Sequence, residues 1–218
     1  MPIDLYYLPY SPPCRPVLVL ADALKLKLNL KELNTRAGEH LTPEFKKINP
    51  QHCLPTLVDD DLTLWESRAI LTYLATKYGD GSLYPADHKL RAAVDQRLYF
   101  DMGTLYQRFT DYLYPQLFGN QPADEEKLKK LEEALEFLNI FLEGKPWVAG
   151  STLTVADYSI ICTVNSIIAL DVDVYKYPNI KEWYERAKSS MPGFNVSEQV
   201  IELLKKLFQD FKAKNTSV

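Results

Sequence analysis

Cysteine is scarce in this chain: three occur in 218 residues, Cys14, Cys53 and Cys162. They lack the paired spacing of a zinc site and the density of a secreted disulfide framework, so a reducing compartment is the expected setting. Also missing is any uninterrupted apolar run long enough to cross a bilayer. The opening MPIDLYYLPY has no basic stretch leading into a long apolar one, as a secretory signal has. A soluble, cytoplasmic protein with no membrane partner is the expectation. Positive charge is not in surplus either, since 25 Lys and Arg against 29 Asp and Glu leave a formal net charge of -4. That balance argues against a nucleic-acid partner, which needs a concentrated basic footprint. Lys205, Lys206, Lys212 and Lys214 alternate with acidic and apolar residues and read as a solvated helix face.

What the chain does have is apolar content, 46%, ample for a buried core. Ile3-Asp4-Leu5-Tyr6-Tyr7-Leu8, stopped by Pro9, reads as a buried strand. After a turn, Pro12 and Pro13 suit a first helical turn, and Val17, Leu18, Leu20, Ala21 and Leu24 follow at helical spacing. Leu28 to Leu33 alternates apolar and polar as a half-buried strand does. Leu54 to Val58 and Leu62 to Trp65 read as a hairpin turning on Asp59-Asp60-Asp61, and Glu66-Ser67 opens a helix carrying Ile70, Leu71, Tyr73 and Leu74. The order is β-α-β, an irregular stretch, then β-β-α.

Residues 79–87 are rich in breakers and read as a linker. Beyond them only helical periodicity remains: Leu98, Met102, Leu105 and Phe109; Leu131, Leu135, Leu138 and Leu142; Val200, Leu203, Leu204 and Leu207. Thr154 with Asp157 has the spacing of a capping box before an apolar helix over Tyr158 to Leu170. The expected organisation is a first domain over 1–79, a linker over 80–90 and an all-helical domain over 91–218.

This order resembles the cytosolic glutathione transferase superfamily, with its N-terminal thioredoxin-like βαβ-ββα domain and C-terminal all-α domain. Four words sharpen the resemblance: YYLPYSPPCR, AGEHLTPEFKKINPQHCLPTLVD, LWESRAI and LTVADY look like the insect delta class, in the right order and over nearly the whole chain. Delta-class proteins usually carry a small residue, often Gly, where this sequence has Tyr10. That departure bears on the backbone at position 10 and on the width of the electrophile pocket.

The resemblance implies conjugation of glutathione, the co-substrate, to small hydrophobic electrophiles in detoxification, by a homodimer and with no metal. Ser11 is then the catalytic residue. A free thiol with a pKa of about 8.5 is mostly protonated at neutral pH, so the enzyme must favour the thiolate. A hydroxyl at a helix N-terminus does so by donating a hydrogen bond where the helix dipole also favours negative charge. Alternatively Ser11 only caps its helix. Ser11-Pro12-Pro13-Cys14 occupies the place of the Cys-x-x-Cys redox pair of thioredoxin-like proteins. Dithiol exchange is thereby excluded, and Cys14 reads as a buried, inert thiol or, less simply, as a mixed-disulfide former.

Family resemblance also implies a cis peptide before Pro55, turning the backbone of Leu54 outward to pair with glutathione as an added strand would; Cys53 lies beside it. Glu66 and Ser67, assisted by Arg68 and by Asp101 of the second domain, suit the γ-glutamyl end. Arg68 and Asp101 equally suit surface ion pairs. His40 and His52 flank the glycine end, or are polar loop surface. The electrophile pocket draws on Leu8, Tyr10, Pro13, Tyr106, Phe109, Tyr114, Leu117, Phe118 and Phe208. Tyr99, Met102, Tyr106, Phe109 and Leu113 also follow the spacing of a core or interface stripe, so the set is expected to divide. Tyr99 is the candidate subunit contact. A non-catalytic protein binding hydrophobic ligands, a structural relative and a thiol-disulfide oxidoreductase are the alternatives.

Overall fold

A four-stranded sheet forms around β1, Ile3–Tyr7, with strand order β2-β1-β3-β4. β2, Leu28–Glu32, lies parallel to β1, and β3, Thr56–Asp59, lies antiparallel on its other side and pairs with β4, Leu62–Trp65. The structure is a computed structural model that describes residues 3–215, with side chains for residues 3–210. Met1, Pro2 and the side chains of Lys212 and Lys214 lie outside the described residues; Lys205 pairs with Glu202 at 3.4 Å, as a solvated helix face should.

Successive strand residues point to opposite faces, and this sorts the helices. Leu5 and Leu57, paired in register and fully buried, face the helices α1, Arg15–Ala23, and α3, Ser67–Tyr78, whose Val17, Leu20, Ile70, Leu71 and Leu74 complete the core. Tyr6 turns to the opposite face, where its ring meets Phe45 of α2, Pro43–Ile48, at 5.3 Å.

Four local expectations are corrected. The stretch between β2 and β3 is not irregular: a 3-10 turn at Glu39–Leu41 leads into α2, capped by Thr42 Oγ1 accepting from Phe45 N, with Pro43 in the first turn. Helix α1 starts at Arg15, after Pro12 and Pro13. Three prolines within residues 12–16 leave Cys14 and Arg15 as the N–H donors, and both donate to the Ser11 carbonyl, at 3.0 and 3.2 Å. The third strand begins at Thr56, after Pro55. Asp59 belongs to that strand and not to the turn, because its carboxylate is buried, accepting from Tyr73, Tyr78 and Lys77.

Past the breaker-rich stretch comes α4, His88–Phe100, which starts inside the expected linker because Asp87 caps it, accepting from Lys89 N and Leu90 N. A π turn at Asp101–Leu105 joins α4 to α5, Tyr106–Phe118, and turns Asp101 and Leu105 inward. Then follow α6, Glu125–Phe141; α7, Val155–Ile168; α8, Pro178–Ser190; and α9, Phe194–Asn215.

Helix α7 is buried from Val155 to Ile167 and forms the axis of the helical part. Its start is the expected capping box, Thr154 N and Oγ1 both bonding Asp157 Oδ2. Helix α1 packs on α7 and α9, so the helix that begins beside Ser11 is also the seam between the two parts.

Candidate active site

A cleft of about 620 Å³ opens along that seam, and Ser11 lies on its wall at the approach to α1. Leu8, Tyr10, Pro12 and Pro13 flank Ser11. Thr35, Arg36, His40, Gln51, His52, Cys53 and Leu54 make one end of the wall polar. Leu113, Tyr114, Leu117 and Phe118 of α5 with Leu204, Leu207 and Phe208 of α9 make the facing wall apolar. Sequence reasoning missed Pro12, Thr35, Arg36, Gln51, Leu113, Leu204 and Leu207. The helical periods of Leu113, Leu204 and Leu207 were visible, but periodicity says which residues share a face and not what that face meets.

Ser11 donates its N–H to the Leu8 carbonyl at 3.0 Å. Cys14, next to it at the start of α1, is fully buried, and burial pushes its thiol up to about 11. A thiol so hard to ionise is a poor nucleophile at neutral pH. Cys14→Ala is therefore expected to leave the conjugation rate unchanged in a steady-state assay; a large loss would revive a thiol-exchange role. Tyr10 is not among the residues in the left-handed region, so a Cβ at this position carries no backbone strain. Its ring lies on the cleft wall.

The Leu54–Pro55 peptide is cis. Asn49 and Thr56, both buried, tie this corner together: Asn49 Nδ2 donates to Thr56 Oγ1 at 2.8 Å and to the Cys53 carbonyl at 3.2 Å. Among the described residues, the turn and loop hydrogen bonds leave the Leu54 N–H and C=O unpaired. The rings of His40 and His52 stand 6.2 Å apart, and the buried Nδ1 of His40 has no partner among the described residues.

At the start of α3, Glu66 is exposed with φ of 69°, and Ser67 is buried, accepting from Arg68 Nη1 at 3.0 Å. Arg68 and Asp101 form no surface pair. Arg68 Nη2 and Nε donate to Asp101 Oδ2 at 2.7 and 3.2 Å, and Asp101, fully buried, also accepts from Ser159 and Thr163 of α7. This ionic knot joins α3 to the helical part. Glu66, Ser67, Arg68 and Pro55 are not on the cleft wall that holds Ser11.

The aromatic set divides. Phe109 is fully buried, and its assignment to the pocket is corrected: on α5 it points into the core beside Leu105 and Leu113. Tyr106 is also off the cleft wall, its ring under the Arg68 guanidinium at 5.1 Å and its hydroxyl 3.1 Å from that of Tyr114. Burial pushes the Tyr106 phenol up, so it stays neutral. Phe118, by contrast, is 71% exposed at the cleft mouth. Phe109→Ala is expected to lower stability by about 3–5 kcal/mol in denaturant unfolding. Phe118→Ala should change stability by less than about 0.5 kcal/mol and instead raise KM for an apolar electrophile.

Residues 1–76 match the N-terminal domain family of glutathione S-transferases, and residues 94–190 match the C-terminal domain family. A delta-class glutathione transferase of Nilaparvata lugens is 52% identical, with 96% of this chain and 100% of that one covered and a TM-score of 0.93. The chain belongs to the glutathione transferase family. It is similar as well to a Bombyx mori glutathione transferase, 47% identical over 95% of this chain and 98% of that one, with a TM-score of 0.91. A glutathione transferase homolog of Drosophila mojavensis, solved with bound glutathione, is 32% identical over 96% and 97%, at 0.88. The activity of this transferase is glutathione conjugation, and its likeness is to insect delta-class members. No described helix is long and apolar enough to cross a membrane.

Proposed function

We propose that this transferase joins the glutathione thiolate to small hydrophobic electrophiles, with Ser11 as the catalytic residue that stabilises the thiolate. The observation that carries the reading is the position of Ser11. It stands at the N-terminal approach to α1, with a polar cleft wall on one side and an apolar one across from it.

A hydroxyl there donates to sulfur, and the dipole of α1 adds its positive end, although the Cys14 and Arg15 N–H groups are already bonded to the Ser11 carbonyl. Glutathione lies along the backbone of Leu54, beside Cys53 and Pro55, pairing with the free Leu54 amide as an edge strand does. Its glycine carboxylate meets His40 and His52, which supply donors where a buried nitrogen otherwise lacks a partner. Its γ-glutamyl end meets Glu66, Ser67 and Arg68, with Asp101 holding Arg68 in place.

The electrophile rests against Leu8, Tyr10, Pro13, Tyr114, Leu117, Phe118 and Phe208, a surface with few directional contacts that accepts many apolar shapes. Tyr106 stands behind Tyr114 and steadies its hydroxyl. Such breadth suits detoxification in a reducing cytoplasm. The domains span 1–79 and 91–218, joined by 80–90. The protein acts as a homodimer with Tyr99, 69% exposed on α4, in the contact.

The test is the pH dependence of conjugation to a chlorodinitrobenzene for wild type and Ser11→Ala. A variant that is as fast as wild type and has an unshifted profile would remove Ser11 from the mechanism.

A further inference from the structure

Two buried arginines pair with no carboxylate among the described residues: Arg97, 9% exposed, bonds the Val148 carbonyl and Gln96, and Arg15, the deeper of the two, is 1% exposed. Its Nη2 donates to the Cys162 carbonyl at 2.8 Å and to Ser166 Oγ, both on α7. Its Nε and Nη1 have no hydrogen-bond partner among the described residues.

The titratable groups that bear on it are Cys162 of α7, Tyr106 of α5 and Cys14 beside it, and burial holds all three in their neutral forms. Asp101, a buried acid that bears on Cys162, is already committed to Arg68 from α3. From α9, Ser197 contributes a neutral hydroxyl against Cys162.

A buried ion without a counter-ion is one of the more costly features a fold can carry. A strut between α1 and α7 needs only a donor to one carbonyl and one hydroxyl, which a neutral side chain supplies. The charge itself is unexplained by packing. It sits at the first residue of α1, one turn beyond Ser11, whose carbonyl accepts the Arg15 N–H at 3.2 Å. Arg15 does not line the cleft, so its charge can reach an anion at Ser11 through the field and not by contact.

We propose that Arg15 is a positioning residue for conjugation, whose buried, uncompensated charge at the start of α1 adds to the helix N-terminus in favouring the glutathione thiolate. The proposal rests on the reading of Ser11 as the thiolate's partner. In general, at an effective dielectric of about 20, a unit charge acting across about 10 Å shifts a pKa by roughly one unit, and that sets the scale of the expected effect.

The test reads the thiol pKa of bound glutathione directly, from thiolate absorbance across pH at saturating glutathione with no electrophile present. Arg15→Gln keeps a donor for α7 and removes the charge. Ser166→Asp keeps Arg15 and neutralises it in place, and Arg15→Lys keeps the charge.

The expected result is a rise of about one unit in the first two and little change in the third. The pH profile of kcat/KM should move in parallel, with about a tenfold loss below the wild-type pKa. An unmoved thiol pKa in Arg15→Gln or Ser166→Asp, whatever happens to Tm, would overturn the proposal and leave Arg15 a strut. If Arg15→Gln does not fold, Ser166→Asp decides alone. If wild type itself shows no depression below the free thiol, the Ser11 reading fails first, and the two failures are thereby told apart.

Discussion

Ser11→Ala is expected to lower kcat/KM for glutathione conjugation by about tenfold to a hundredfold near pH 6.5, the worth of one hydrogen bond to a charged group. The thiol pKa of bound glutathione should rise by about one to two units. The loss is therefore pH-dependent. As pH approaches 9 the bulk of the thiol ionises unaided, and the gap between variant and wild type should narrow. A purely structural role for Ser11 predicts a different pattern, a loss of equal size at every pH. Residual rate should remain, since the α1 N-terminus and the proximity of bound reactants survive the substitution. Glutathione affinity should change little, because the cleft wall that includes His52 and Leu54 is untouched. The measurement is the initial rate across pH six to nine with glutathione saturating.

Asp157→Ala is expected to lower the unfolding free energy by about 3–5 kcal/mol, the sum of orphaned donors and a lost cap. Asp157 is fully buried at the start of α7 and accepts from Val148 N at 2.9 Å, Thr154 N at 2.9 Å, Thr154 Oγ1 at 3.1 Å and Trp183 Nε1 at 3.0 Å. Alanine strands the Val148 and Trp183 donors in the interior, where water cannot replace the acceptor. Thr154→Ala, which removes one bond of the box, should cost about 1 kcal/mol. Urea unfolding of both variants checks the ranking, and a loss under about 1 kcal/mol for Asp157→Ala would refute it.

Burial pushes the Asp157 carboxyl up to about 6, although all four donors pull it down. The folded state thus holds this proton more tightly than the unfolded chain does. The group's contribution to stability is then largest below about pH 4 and declines as pH rises toward about 6. Asp157→Asn should remove that slope.

How far the site was legible depends on the reach of each signal. Ser11, His52 and Leu54 were picked out through words that match a family, and each of the three lies on the cleft wall. Phe109 and Phe118 share one helix and one residue type, yet one is core and the other stands at the mouth. Their spacing carries no record of which neighbour each face meets. Arg68 and Asp101 looked like possible surface charges because their 33-residue separation gives no hint that the π turn at Asp101–Leu105 aims one at the other. Arg15 carries no local signature of its burial, since nothing in the residues beside it marks the α7 groups it meets.

The residues alone were enough to establish the order of strands and helices, the capping box at Thr154, the breaker-rich joint and the resemblance to glutathione transferases. These are properties of short segments, set by periodicity, backbone restriction and local hydrogen bonding. Tertiary structure alone decided that α1 is the seam between the two parts and that Leu204, Leu207 and Phe208 of α9 face Leu8 and Ser11 across one cleft. It also decided that the Arg15 charge is buried against α7 with no counter-ion among the described residues. Burial, dielectric and contact depend on segments 100 or more residues apart coming together, and no local pattern encodes that distance: Arg15 and Cys162 are 147 residues apart in sequence and 2.8 Å apart in space.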